Sequence, residues 1–411
     1  MHMSEYSGTR IKTQAKQKRR FFLRMPKGSD KLVYWSLILL AGFGLLMIAS
    51  ASMGIAVGNT SYLAFILAKQ IVFLGGGYIA MVWLANHFTV DFLKSSLFPT
   101  WALGVAVSLL ACLVFPKVNG ARAWLRVPIS RFDISIQPSE FAKIMVALIV
   151  AAYCGDVKKT FPKGEEIWKR PVIFILGYVF IVLVLQSDLG SAAVMLMIAW
   201  VCFYIPAHPQ MRRFQKVLFW VMTFGIVIAV VILTPYGEGI IQYLPLKDYQ
   251  IKRFLSAVNP FADQYNTGFQ LISGLVSFAT GGWRGLGFGN SVRKYTSFPA
   301  ANTDFILAIV IEELGMIGFA LIFIPYLIIV VQMFRYALKI NSEKAKIILV
   351  GVAIYLIVHC LFNIGGVTGL IPLTGVPLLM ISSGGSSAMS FMCAIGIAEA
   401  VISQYRRGEI Q

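Results

Sequence analysis

Residues 302–331 read NTDFILAIVIEELGMIGFALIFIPYLIIVV, a run long enough and apolar enough to cross a bilayer that nevertheless holds three carboxylates, Asp304, Glu312 and Glu313. A membrane helix needs about 20 apolar residues, and a bare acid at the bilayer centre costs at least ~2.5 kcal/mol. Each acid therefore has to sit at a helix end, find a partner, or do chemistry. Asp304 falls where the helix would enter the membrane. Glu312 and Glu313 lie about 12 Å further along it, too far to act on the same atom, and are expected to pair with Lys143, His359 or backbone groups inside the bundle.

The span it marks is placed at 304–333, and similar apolar runs recur at 32–52, 71–86, 97–115, 139–154, 172–187, 189–205, 216–234, 346–365 and 377–403. The chain thus reads as an all-α polytopic membrane protein of about ten transmembrane helices. Lys and Arg concentrate in the segments that share a side with the N-terminus, which predicts cytoplasmic N- and C-termini. A large loop, 235–303, then lies outside between helices 7 and 8. Residues 1–30 form a basic cytoplasmic arm, 31–403 the membrane domain and 404–411 a short cytoplasmic tail. No cleavable signal peptide is expected, because the arm is basic and polar and the apolar stretch after it is long enough to remain a span.

The net charge of +18 is spread beside span ends, where it orients the protein and meets anionic lipid rather than nucleic acid. The five cysteines lie within or at the ends of spans and show neither a disulfide framework nor a CxxC metal site. No 20–50-residue repeat is visible.

Polar chemistry collects in four places. Segment 116–143, PKVNGARAWLRVPISRFDISIQPSEFAK, puts Lys117, Arg122, Arg126 and Arg131 on the side that should be poor in positive charge. They would either bind an anionic ligand such as a phosphate-bearing head group or snorkel to lipid phosphates. The same segment brings Glu140 and Lys143 onto one helix face, to fix helix register or to line a cavity. LQSDLGS, 185–191, joins two spans almost without a loop, so Asp188 is a helix cap or a site-lining acid, and Gly190 permits close backbone approach. The long loop carries KRFLSAVNPFADQYNTGFQLISG and then GGWRGLGFGNSVRK. Its glycines fit neither a Walker loop nor a dinucleotide fingerprint, and suggest a flexible flap over an external cavity. NIGGVTGLIPLTGVPLLMISSGGSS, 363–387, interrupts a span with Gly, Pro and Ser, which is tolerated at membrane depth only against protein or a cavity.

Taken together, NGARAWL…IQPSEFAK, LQSDLG, the NPF…GFQ…GGWRGLGFGNS…FPAANTDFILAIVIEELG run and NIGGVTGLIPLTGVP…SSGGSS resemble the SEDS family of peptidoglycan polymerases, from about residue 31 to 403. Within it the motifs are more similar to the division branch than to the elongation branch. The resemblance implies a glycosyltransferase that joins lipid II into glycan strands on the outer face of the bacterial cytoplasmic membrane, at the division septum. Its implied partners are a class B penicillin-binding protein and other divisome proteins. It also implies that Asp304, the acid of the TDF motif, is catalytic. Three departures stand out. The usual PEAHTDF is PAANTDF, so Ala300 and Asn302 replace an acid and a histidine. Thr296 stands where a Glu is common. LPFISYGGSS has become LLMISSGGSS, which changes Leu379, Met380 and Ser383.

Forming a β-1,4 bond from an α-linked pyrophosphate donor inverts the sugar carbon, which needs one base and stabilisation of the departing pyrophosphate. Asp304 is the expected base. Lys117, Arg122, Arg126, Lys252, Arg253, Arg293 and Lys294 are candidate pyrophosphate contacts, with Arg253 and Lys294 favoured. Glu140, Lys143, Asp188, Gln270 of the GFQ motif and Ser386 of SSGGSS are assigned to substrate binding. A divalent cation, Mg²⁺ or Mn²⁺, would bridge pyrophosphate oxygens, although no dedicated metal cage is visible. Competing functions are a lipid II transporter and a scaffold that only recruits the transpeptidase.

Overall fold

The computed structural model describes residues 24–57, 60–118, 120–129, 132–158, 166–234, 237–241, 247–266, 268–296 and 298–411. Most of the basic arm, and Arg131, lie outside them. The elements are α1 (Lys31–Ser52), α2 (Thr60–His87), α3 (Phe98–Ala111), β1 (Leu125–Ile129), β2 (Phe132–Ile136), α4 (Pro138–Cys154), α5 (Lys169–Phe180), α6 (Leu189–Phe203), α7 (Met211–Ile232), α8 (Glu238–Ile241), α9 (Asp248–Val258), α10 (Phe269–Gly281), α11 (Ile306–Lys339), α12 (Glu343–Thr368) and α13 (Gly385–Arg406).

Six helices, α1, α2, α7, α11, α12 and α13, are long and apolar enough to cross a membrane. The other four expected spans coincide with α3, α4, α5 and α6, which are 14, 17, 12 and 15 residues long. Helix length alone therefore accounts for six spans. Two features depart from the all-α expectation: the antiparallel hairpin β1–β2 in segment 116–137, and the last apolar run, whose first residues are extended so that α13 begins at Gly385 rather than near 377.

The two ends of the described chain meet on one face. The Asp30 carboxylate caps α1 through Leu32 N (2.9 Å) and Val33 N (3.2 Å), a common way to satisfy orphan helix donors. It also accepts from Arg406 of α13 at 2.9 Å, while its own N–H donates to Glu399 at 2.8 Å. At the core, α13 is almost wholly buried and packs on α2, where Gly77 and Gly396 bring the helices close. Small residues let membrane helices approach where hydrophobicity gives no drive. By contrast α7 is exposed along nearly its whole length.

The opposite face is shaped by a break in α11. Gly315 has φ 63°, ψ −154°, a conformation that excludes side chains, and a Cβ there would collide with Trp283. The break frees the carbonyls of Glu312 and Glu313 and the N–H of Met316. Leu286 N and Gly287 N donate to the two carbonyls at 2.9 Å, and Met316 N donates to Gly282 O at 3.0 Å. The glycine-rich stretch is therefore a splint docked on the break, not the free flap expected from its composition. Beside it α10 runs in the same sense as α11, with Gly274 against Phe305 and Gly281 against Ile311.

The same docking resolves the two inner acids. Glu313 is fully buried, paired with Lys294 Nζ at 2.9 Å and accepting from Ser50 Oγ at 2.7 Å and Gly289 N at 3.0 Å. Glu312 accepts from Ser291 Oγ at 2.5 Å and Ser277 Oγ at 3.4 Å. Ser50 lies in the last turn of α1, so Glu313 is level with a helix end rather than with the bundle midpoint. The expected partners Lys143 and His359 instead meet Glu140.

Candidate active site

The break at Gly315 and its splint bring the chain back to α11 through a tight turn at 300–305. Ala300 takes φ 55°, and its carbonyl accepts from Thr303 N (3.0 Å) and Phe305 N (3.1 Å). Three further carbonyls of the turn are held from elsewhere: Asn302 O by Ser383 N (2.8 Å), Thr303 O by Ser382 Oγ (2.7 Å), and Asp304 O by Asn363 Nδ2 (2.8 Å). Every donor comes from the end of α12 or from the extended stretch 369–384. The irregular backbone expected within 363–387 is thus present, and it grips the acid-bearing turn.

Asp304 precedes the first helical residue of α11, Ile306. Its side chain is half-buried and closely surrounded by protein. Desolvation pushes its pKa up from 3.8 to about 6, and the Arg253 guanidinium pulls in the opposite direction. Arg253 lies on α9 and donates to Leu373 O at 3.1 Å, with its guanidinium 5.8 Å from the Tyr249 ring centre. A Cβ built on Gly375, which has φ 70°, would sit 3.6 Å from Asp304 Oδ2 and 3.7 Å from Arg253 Nη1. The glycine leaves a narrow space between acid and cation.

Helix α9 is itself pinned over the α5–α6 turn. Tyr249 donates to Ser187 O at 2.6 Å, the Lys247 ammonium meets Ser187 Oγ, and the Tyr249 ring lies against Gly120. A π turn, Ile181–Leu185, ends α5 here, a distortion frequent at functional sites. Gly190 allows the close approach expected of it, since a Cβ there would lie 2.5 Å from Thr374 O.

The other expected residues fall into distinct places. Asp188 caps α6 through Ser191 N (3.0 Å) and accepts from Gln137 (3.0 Å). Lys117 and Arg122 are exposed and Arg126 is partly buried on β1. Arg122 N donates to Gln186 O at 2.9 Å, which ties that segment to the α5–α6 turn. Gln270 donates to Pro299 O at 3.2 Å, just before the Asp304 turn. Ser386 is buried in the first turn of α13. Lys294 departs from expectation, because its ammonium is enclosed by Glu313, Ser50 and Gly289 O (2.7 Å) rather than presented to a ligand.

Glu140 and Lys143 are also enclosed. Lys143 Nζ lies 2.6 Å from Glu140 Oε1 and 3.1 Å from His359 Nε2, and Tyr355 donates to Glu140 Oε2 at 3.1 Å. His359 Nδ1 faces Pro377 O at 3.2 Å; with a carbonyl on that side the ring donates there and accepts from Lys143 through Nε2. This network joins α4, α12 and the extended stretch.

Two of the residues that depart from the resembled pattern have side-chain partners other than Asp304. Asn302 donates to Ser52 Oγ at 3.2 Å, and Thr296 to Arg293 O at 2.8 Å. Among the described residues no cluster of three His, Cys, Asp or Glu side chains could hold a metal. Sequence reasoning missed Asn363, Ser382, Tyr249, Lys247 and Gly375; the polar residues among apolar ones in NIGG and ISSGG were the available signal for the first two.

A family model described as "Cell cycle protein", FtsW/RodA/SpoVE, matches residues 30–407. Stage V sporulation protein E of Bacillus subtilis is 32% identical over 386 residues, covering 92% of this chain and 98% of that protein. The probable peptidoglycan glycosyltransferase FtsW of Coxiella burnetii is 30% identical over 371 residues, covering 89% of this chain and 94% of that protein. Among solved structures, a peptidoglycan synthase complex that coordinates polymerization and crosslinking matches with a TM-score of 0.67 at 23% identity, over 92% of this chain and 98% of that one. The rod shape determining protein RodA of Thermus thermophilus matches with a TM-score of 0.61 at 20% identity, over 92% of this chain and 97% of that one.

Proposed function

The chain belongs to the FtsW/RodA/SpoVE family, and on that footing we propose that it is a peptidoglycan glycosyltransferase that polymerises lipid II into β-1,4 glycan with inversion at the donor sugar. The observation that carries this reading is Asp304, a half-buried carboxylate beside a guanidinium, in a turn whose Asn302, Thr303 and Asp304 carbonyls are held by Ser383, Ser382 and Asn363. The Asp304 carboxylate takes the proton of the attacking sugar hydroxyl, a new C–O bond forms at the donor carbon, and the bond to pyrophosphate breaks. The electron pair leaves on undecaprenyl pyrophosphate, which needs positive charge. Arg253 is proposed to supply it close to the reacting centre. Lys117, Arg122 and Arg126 are proposed to meet the same group from segment 116–137. Gln270 and Ser386 keep their proposed substrate roles, whereas Glu140, Lys143 and Asp188 act by holding the surrounding helices.

A divalent cation, Mg²⁺ or Mn²⁺, is proposed to supply further positive charge at the departing pyrophosphate. The proposed setting is the bacterial cytoplasmic membrane with the Asp304 face outside, at the division septum; a family model described as "Cell cycle protein" is in keeping with a role in division. A class B penicillin-binding protein is the proposed partner, supported by the similarity to a synthase complex that polymerizes and crosslinks.

The test is conversion of labelled lipid II into long glycan by purified protein with its cognate transpeptidase. Lipid II that crosses reconstituted vesicles without polymer forming would point to a transporter instead. Because the base must be ionised and burial raises its pKa to about 6, the rate should climb with pH and reach half its plateau near pH 6. A rate flat from pH 5 to 7 would remove Asp304 as the base. Gly375→Ala adds a methyl between Asp304 and Arg253 and forces φ 70° on a side-chain-bearing residue. Initial rates should fall at least about tenfold, since small displacements at a reacting centre are costly.

A further inference from the structure

Asn363 lies on α12 and is 3% exposed. Its Nδ2 donates to two carbonyls, Asp304 O at 2.8 Å and Val376 O at 3.0 Å. Both neighbours are acceptors, so the amide has one workable orientation. The two carbonyls belong to opposite walls of the narrow space at Gly375: one is that of the acid itself, the other follows the glycine. Arg253 takes Leu373 O and His359 takes Pro377 O, which holds the Gly375 wall from α9 and α12. Ser382 and Ser383 tie the far end of that same stretch to Thr303 O and Asn302 O. Asn363 ties the near end, beside Gly375, directly to Asp304.

We propose that Asn363 is a positioning residue: by holding the carbonyls of Asp304 and Val376 together from α12, it sets the width of the space between the Asp304 carboxylate and the Gly375 wall and limits how much water enters. The inference rests on the reading of Asp304 as the base. The direction of the effect follows from the surroundings. Arg253 on α9 is the charged group facing the carboxylate. On α12, His359 is turned to Pro377 and Lys143. Residues 369–384 and α10 carry no titratable side chain. Once the walls part, water gains access to the carboxylate, and its pKa falls from about 6 toward the ordinary carboxylate range.

The test measures lipid II polymerisation against pH for Asn363→Ala and Ser382→Ala, each with the cognate transpeptidase. Asn363→Ala should lower kcat about 10- to 100-fold, change KM for lipid II little, and move the acidic limb of the pH profile below pH 6. Ser382→Ala, which removes the clamp on Thr303 O together with the acceptor of Leu378 N, should shift the limb the same way with a smaller rate loss, and it carries the test should Asn363→Ala not fold. Loss of rate with the limb unmoved, or wild-type kinetics in both variants, overturns the proposal. Polymerisation by Asp304→Asn would instead overturn the reading of the base and leave the hydrogen-bond clamp as structure alone.

Discussion

Asp304→Asn should reduce lipid II polymerisation by about 10²- to 10⁴-fold, the usual worth of a positioned general base, while the protein remains folded. The second half of that expectation follows from the same burial that tunes the acid. A carboxylate whose pKa is raised in the folded state is harder to keep ionised there than in the unfolded chain. Above about pH 6 the native Asp304 therefore works against folding, and the neutral amide removes that opposition. The variant should melt no lower than the parent at pH 7.5, and the backbone clamps on Asn302, Thr303 and Asp304 should survive, since none uses the side chain. Asp304→Ala should be equally inactive. Glycan formation by either variant at more than a tenth of the parental rate would show that another group accepts the proton.

What the sequence revealed, and what it hid, follows from the range of each interaction. Helices announce themselves through apolar length, and α1, α7, α11 and α12 lie close to the runs that mark them. Asp304 was legible because an acid at a helix entrance is anomalous in a chain with so few charges. Asp188 was legible as a cap because that bond is local, three residues long. The roles of Lys294 and Asn363 were not legible. Lys294 pairs with a residue 19 positions away and reaches a serine 244 positions away, and Asn363 holds carbonyls 59 and 13 positions away. A positive charge in a long loop looks like a ligand contact until a break in a helix shows which buried acid it serves. The glycine-rich stretch misled for the same reason: its glycines fit a close docking on the Gly315 break as well as they fit a moving flap, and composition does not separate the two.

Lys294→Met should destabilise the protein by about 3–5 kcal/mol, the cost of leaving one member of a buried ion pair without its partner. Glu313 would keep its hydrogen bonds from Ser50, Gly289 and Ser291 but lose the ammonium paired with it. Glu313→Leu alone should be as damaging, because it strands the Lys294 ammonium and removes the acceptor that anchors the splint to α1. The double variant Lys294→Met with Glu313→Leu should recover much of the loss, since a buried pair is often replaceable by apolar residues of similar volume. Thermal melting of the purified protein in one detergent compares all three. Activity separates this structural role from the ligand contact expected of a loop lysine. Because the splint feeds directly into the turn that carries Asp304, a structural Lys294 predicts a lower melting temperature with an unchanged KM in whatever fraction stays folded. A raised KM for lipid II at an unchanged melting temperature would mean that the ammonium leaves Glu313 and reaches the pyrophosphate.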